Sequence, residues 1–189
     1  MFHNKIYIKF LKGRCYSLII IFLSGISSSC EEASYELDNP NDPLNMDLVP
    51  PAIFFHPLQK ETLLYEQFKV EIYGLELNPA AGVQIGFDFE RSHLDYNYIV
   101  PGPFFKGIND PLTIVDTLAG SVKLYLYYLP DIESDQSKGG TQSIATIYFT
   151  TKTKGQTALE FDTTFTKLRD ANNDSLRINQ LQNGIINVQ

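Results

Sequence analysis

Beyond residue 49 no window of a dozen residues carries the apolar period of a helix. Short runs of β-branched and aromatic residues alternate instead with polar ones, separated by Gly, Pro, Asn and Asp clusters about every ten residues. A chain patterned this way has no helix to lay on a sheet, so its sheet must bury itself against a second sheet. The alternation predicts nine strands, at residues 52–55, 67–73, 83–90, 96–100, 112–116, 121–129, 143–151, 157–166 and 184–188. On the second, Phe68, Val70 and Ile72 share one face. On the third, Val83, Ile85, Phe87 and Phe89 point inward while Gln84, Gly86 and Asp88 point outward. A hairpin arm is expected at 176–179, and residues 166–173 could hold at most a short turn of helix. The expected fold class is all-β, a two-sheet sandwich spanning 49–189, either a jelly roll or immunoglobulin-like. The second type normally offers a Cys pair and a Trp, and this chain has no Trp at all.

The first 29 residues read differently. Lys5, Lys9, Lys12 and Arg14 precede the 12-residue apolar run CYSLIIIFLSGI, and Ser27, Ser28 and Ser29 lead into Cys30. Basic start, short apolar run and small residues form a secretory signal, and 12 residues are too few to cross a hydrocarbon core of roughly 30 Å as a helix. Small residues directly before a cysteine resemble the bacterial lipobox, which makes Cys30 the lipidated residue; Ser27 departs from the aliphatic residue that pattern usually carries. Ordinary cleavage near Ser29 is the alternative, and it would leave a secreted chain with one free thiol, which such chains seldom keep. Lipid anchoring places the protein at the bacterial cell envelope, in the outer membrane or at the cell surface. Residues 30–48 then form an acylated cysteine followed by an acidic tether broken by prolines and without apolar period.

Four of the 15 basic residues stand in the leader and all 22 acidic ones lie beyond it, so the remainder carries a formal charge of −11. Such a surface repels phosphate backbones, and no basic run interrupts it, so nucleic-acid binding is excluded. Only His56 and His93 lie past the leader, too few with one cysteine for a zinc or transition-metal site, and no cofactor is implied. Ser92-His93-Leu94-Asp95 contains the residue types of a hydrolase triad. Side chains adjacent in sequence point apart, however, so a polar loop with Leu94 plugging the core is the expectation, and no enzyme signal survives. Asp170, Asn172 and Asp174 mimic the start of a calcium loop, but Ser175 and Leu181 stand where glycine and a bidentate acid are required, which predicts an Asx-rich turn joining two strands.

The informative excess is aromatic: 9 Tyr and 10 Phe follow the leader. In SVKLYLYYL, Val122, Leu124 and Leu126 form the inward face, so Lys123, Tyr125 and Tyr127 project from the other. An outward tyrosine pair is a candidate binding surface; cross-strand packing under a covering loop is the alternative.

Taken in order, the opening strand, EQFKVEIYGLEL, FDFERSHL, VPGPFF, GSVKLYLYYL, SIATIYFTTKTKGQTALEF and LRDANNDSLRINQLQNGIINV resemble the cohesin domain, the module with which bacterial scaffolding and anchoring proteins capture dockerin modules. The resemblance implies a nine-stranded jelly roll without catalytic activity. It also implies a dockerin-like partner that carries its own calcium, bound on the sheet formed by strands five, six, three and eight. Mapped here, that face includes Gln84, Asp88, Lys123, Tyr125 and Tyr127, with the two tyrosines expected beside Asp88. Glu90-Arg91 replaces the family's Asp-Pro, and Gly82 and Gln84 stand where members carry Asn and Asp that bond dockerin. Two further readings stay open: a carbohydrate-binding surface lipoprotein that stacks Tyr125 and Tyr127 on a polysaccharide, and a structural envelope lipoprotein with no soluble ligand.

Overall fold

The computed structural model describes residues 47–105, 112–127 and 137–189. The leader, Cys30 and the tether as far as residue 46 lie outside the described residues, as do residues 128 and 129 of the sixth expected strand. All nine expected strands form: β1 (Ala52–His56), β3 (Gln67–Ala80), β4 (Gly82–Phe89), β5 (Leu94–Pro101), β6 (Leu112–Leu118), β7 (Ser121–Tyr127), β8 (Lys138–Thr151), β9 (Gly155–Phe161) and β13 (Gly184–Val188).

Four short strands bring the number among the described residues to thirteen: β2 (Gln59–Thr62), β10 (Lys167–Arg169), β11 (Ser175–Leu176) and β12 (Gln180–Gln182). Two expectations are corrected by them. The eighth strand ends at Phe161 rather than running to 166, because Asp162 opens a turn: its Oδ1 accepts from the backbone N–H groups of Thr164 (2.9 Å) and Phe165 (3.0 Å) and from the Thr164 hydroxyl (2.7 Å). Residues 167–169 are not helical. They pair antiparallel with the start of β4, and the arm they form with β11 sits just before the hairpin expected at 176–179.

One sheet runs β12-β1-β3-β8-β5. In the other, β6 pairs β7, β7 pairs β4, and β4 is flanked on its far side by β10 over residues 82–84 and by β9 over 87–89; β13 and β2 follow β9. The inward faces predicted from alternation fill the space between the sheets as a jelly-roll sandwich. Val83, Ile85, Phe87, Val122, Leu124 and Leu126 are fully buried, and Phe68, Val70 and Ile72 nearly so. Phenylalanine supplies much of the bulk that a tryptophan would otherwise give. Phe55 stacks on Phe161 with centroids 4.3 Å apart and meets Phe87 edge-on at 5.6 Å. A fully buried side chain of this size contributes roughly 1.5–3 kcal/mol. Phe89, also read as inward, is only partly buried and packs against Phe149 at the rim of the core.

Candidate functional site

The loop after β4 settles the triad question by geometry. The Ser92 hydroxyl donates to Glu90 Oε1 at 2.6 Å, and His93 Nδ1 lies 3.1 Å from Glu90 Oε2 and 3.2 Å from Ser92 Oγ. A triad needs nucleophile and orienting acid on opposite ring nitrogens, whereas here both crowd onto Nδ1. Asp95 instead pairs with Lys152 at 3.1 Å. Leu94 is fully buried, so the loop is a polar cap over an apolar plug, and the Ser92 hydrogen bond holds the Glu90 carboxyl below its ordinary range. Asp170 likewise serves the backbone: its Oδ1 accepts from Asn172 N–H (2.9 Å) and Asp174 N–H (2.8 Å), closing the turn between β10 and β11. Among the described residues no cluster of His, Cys, Asp and Glu could hold a metal ion.

What remains is the outer face of the β6-β7-β4-β9 sheet, where strand pairing orders the side chains into rows. The first row runs Leu112, Tyr127, Gly82, Arg169 and the second Ile114, Tyr125, Gln84, Lys167. Asp116, Lys123 and Gly86 make the third, and Leu118, Ser121, Asp88 and Glu160 the fourth. All five predicted residues thus share one face. The register corrects one expectation: Tyr125 stands opposite Gln84 and Tyr127 opposite Gly82, while Asp88 faces Ser121. Four residues along the strand separate Tyr125 from that serine, about 13 Å. Parity alone could not have given this, because sliding β7 along β4 by two residues preserves every inward side chain.

Two outward glycines shape the aromatic half. A Cβ on Gly82 would stand 2.1 Å from Tyr127 Cδ1, and one on Gly86 would stand 2.8 Å from Phe165 Cδ1, so each glycine provides a berth for a ring from a neighbouring segment. Phe165 meets Tyr125 edge-on, with centroids 5.4 Å apart and planes at 87°, and Lys123 Nζ lies 5.0 Å from the Phe165 centroid. Partial burial pushes the Tyr127 phenol up, with a hydrogen bond to Gln84 and the Arg169 charge drawing it part of the way back. Sequence reasoning missed Phe165, whose signal was indirect: a glycine interrupting the outward side of an otherwise strong strand marks the close approach of something else. It also missed Leu112 and Ile114, which extend the face onto edge strand β6 and are 46% and 50% exposed.

No family model and no curated protein matches the chain. Solved structures do. A cohesin from Clostridium acetobutylicum superposes with a TM-score of 0.62 at 16% identity, covering 73% of this chain and 91% of that one. Its fold is the cohesin fold. A non-cellulosomal cohesin from the hyperthermophilic archaeon Archaeoglobus fulgidus matches with a TM-score of 0.60 at 12% identity over 73% of this chain and 90% of that one. The sixth cohesin of scaffoldin B from Acetivibrio cellulolyticus, solved in complex with a dockerin, gives 0.60 at 13% identity over 73% and 98%. At these identities the likeness shows the fold, and the cohesin sandwich is what brings strands β6, β7, β4 and β9 side by side here.

Proposed function

We propose that the protein is a non-catalytic receptor of the cohesin kind, capturing a dockerin-like module of a secreted protein on the β6-β7-β4-β9 face. The observation that carries this reading is the Tyr125–Tyr127–Phe165 cluster with Leu112 and Ile114, aromatic and apolar side chains left at the surface of a sheet whose other face is already sealed. A half-exposed aromatic centre ringed by Gln84, Lys123, Lys167 and Arg169 has the make-up of a protein interface. The dockerin-bound cohesin of the same fold supports the choice of partner. The perpendicular setting of Tyr125 and Phe165 favours it over the polysaccharide reading, since a pyranose ring needs a flat platform. Lipidation at Cys30 holds the receptor at the cell envelope, on the outer membrane or cell surface. The basic, apolar and small-residue order of the leader supports this, and Cys30→Ala should release the protein from membranes and abolish labelling by a radioactive fatty acid.

The test is calorimetry of the protein with a calcium-loaded dockerin module and with soluble polysaccharides. Tyr125→Ala combined with Tyr127→Ala should weaken dockerin capture at least about tenfold, which is ~1.4 kcal/mol. Chelator should abolish capture through the partner, which carries the calcium. Retention of a glycan, with no dockerin bound even in millimolar calcium, would overturn the reading.

A further inference from the structure

Strand β6 is the exception among the sheet edges. Among the described residues it pairs only with β7, so no strand lies along its far side. All seven of its residues are exposed, Ile114 at 50% and Leu118 at 76%. Open edges are normally kept short, charged, kinked or closed by proline, because an unpaired edge is a template for another chain. The other edges follow that rule. Strands β11 and β12 have two and three residues, β2 is the charged QKET, and β5 is broken by a register shift between Tyr96 and Tyr98 and ends on Pro101. Strand β6 has no such guard. Its register with β7 runs unbroken from Leu112 to Leu118, its sequence is LTIVDTL, and its single charge, Asp116, stands opposite Lys123 of β7.

That sequence reads nearly the same in both directions about Val115. Laid antiparallel against a second copy with Val115 on the twofold axis, it sets Leu112 against Leu118, Thr113 against Thr117, Ile114 against Asp116 and Val115 against itself. We propose that β6 pairs in this register with β6 of a second copy, joining two chains in a twofold dimer through one continuous sheet. A twofold contact uses the same patch on both partners, so the patch must complement itself, and mirror order about the middle residue achieves this in a strand. Both members of each pair lie on the same side of the sheet, Leu112, Ile114, Asp116 and Leu118 outward and Thr113, Val115 and Thr117 on the core side. Facing threonines can hydrogen-bond across the strands, and facing leucines cover apolar surface that is exposed in the single chain. Charge favours the same place. Two copies of so acidic a chain repel, and they meet with least repulsion along a strand whose one carboxylate faces Lys123 and, in the dimer, Ile114 rather than its own counterpart. A strand from another protein would gain the ladder without this matching. Pairing uses up both β6 edges, so assembly stops at two. A seven-residue ladder is small beside a standard interface of about 800 Å² per partner, so the dimer is expected to be weak. It does not rest on the receptor reading, which concerns the outer face rather than the edge.

The test uses protein carrying Cys15→Ala and Cys30→Ala, so that neither a lipid nor a native thiol can join two copies. Sedimentation equilibrium over about 5–500 µM should show reversible exchange between monomer and dimer, with nothing larger. Val115→Lys and Val115→Glu each set like charges directly opposite at the axis and should weaken the dimer at least about tenfold, whereas an equimolar mixture of the two should restore it. Cysteines read the register without relying on those variants. Leu112→Cys mixed with Leu118→Cys should form a disulfide under mild oxidation. Neither alone should do so at a comparable rate, because its own counterpart would lie six residues along the ladder, about 20 Å away. The inference is overturned by a parent protein that stays monomeric at every concentration, or by growth beyond two copies. It is equally overturned by a dimer indifferent to the Val115 charges, by a charge mixture that stays monomeric, by mixed cysteines that do not link, or by cysteines that link as readily with themselves.

Discussion

Gly86→Ala tests the berth beneath Phe165, and its cost can be worked from the distances. The new Cβ would lie 2.8 Å from Phe165 Cδ1, 3.1 Å from Asp162 Cβ and 3.2 Å from Phe165 Cβ, whereas carbon atoms rest at about 3.5–4.0 Å. The strand cannot retreat, since Asp162 N–H donates to Gly86 O at 2.8 Å and Gly86 N–H donates to Thr166 Oγ1 at 3.2 Å. The ring must therefore move, giving up its edge contact with Tyr125 and its position under Lys123. An aromatic pair contributes about 0.5–1.5 kcal/mol and an exposed cation–π contact about 0.5–1. Alanine in place of a strand-interior glycine returns roughly 0.5–1 kcal/mol. The net expectation is a destabilisation of about 0.5–1.5 kcal/mol, read as a shift in the urea midpoint at unchanged slope. The decisive comparison repeats Gly86→Ala in a Phe165→Ala background, where the ring is gone and only the 3.1 and 3.2 Å approaches to the Cβ atoms of residues 162 and 165 remain, so the substitution should cost clearly less than in wild type. Equal costs in the two backgrounds, within about 0.3 kcal/mol, would refute the berth.

The Asp162 turn gives a pH test: the Thr164 hydroxyl bond and then the Phe165 N–H hold its carboxyl below the usual range, so its contribution is complete above the unfolded value near 4 and is lost as pH falls through the lower folded value. Asp162→Asn should thus lower the melting temperature at pH 7, with the gap to wild type closing on acidification below about pH 4. Leu94→Ala should cost about 2–5 kcal/mol in chemical unfolding because Leu94 is fully buried, whereas Ser92→Ala on the exposed cap should stay within about 0.5 kcal/mol.

Much of this molecule is legible in its sequence because strand parity is a local property. Val83, Ile85 and Phe87 on β4 and Val122, Leu124 and Leu126 on β7 are buried as alternation requires, and Gln84, Asp88, Lys123, Tyr125 and Tyr127 follow outward as a consequence. What parity leaves out is pairing between segments distant in the chain. Lys167–Arg169 has three residues and no pattern of its own; it is a strand because β4 offers it an edge. Gln59–Thr62, with the sequence QKET, is polar because it lies at the margin of its sheet and borrows its ladder from β13 in parallel register. The offset of Tyr125 from Asp88 is of the same origin, since the β4–β7 register joins residues some forty apart and no turn between them dictates it. Phe165 was hidden for a further reason: its position over Gly86 depends on the Asp162 turn ending β9 early, an Asx hydrogen-bond pattern competing against a run of strand-forming residues.

These long-range pairings explain why the face is divided as it is. On β4 the outward positions read Gly82, Gln84, Gly86, Asp88, so the strand central to the face withholds side chains at two of its four places. Rings from β7 and from the turn after β9 fill those two places, and they leave the other two with Gln84 among aromatics and Asp88 among acids. Bulk that the strand itself does not carry is therefore supplied by neighbours whose placement depends on the whole sandwich being assembled. On the receptor reading, a partner would meet half-exposed rings at one end, where aromatic anchors would set the lifetime of a complex, and exposed carboxylates at the other, where charge would govern encounter and direction. The aromatic and acidic ends are separated along a single strand by spacing alone, since a period of two places every outward side chain on the same face and glycine decides which of them are absent.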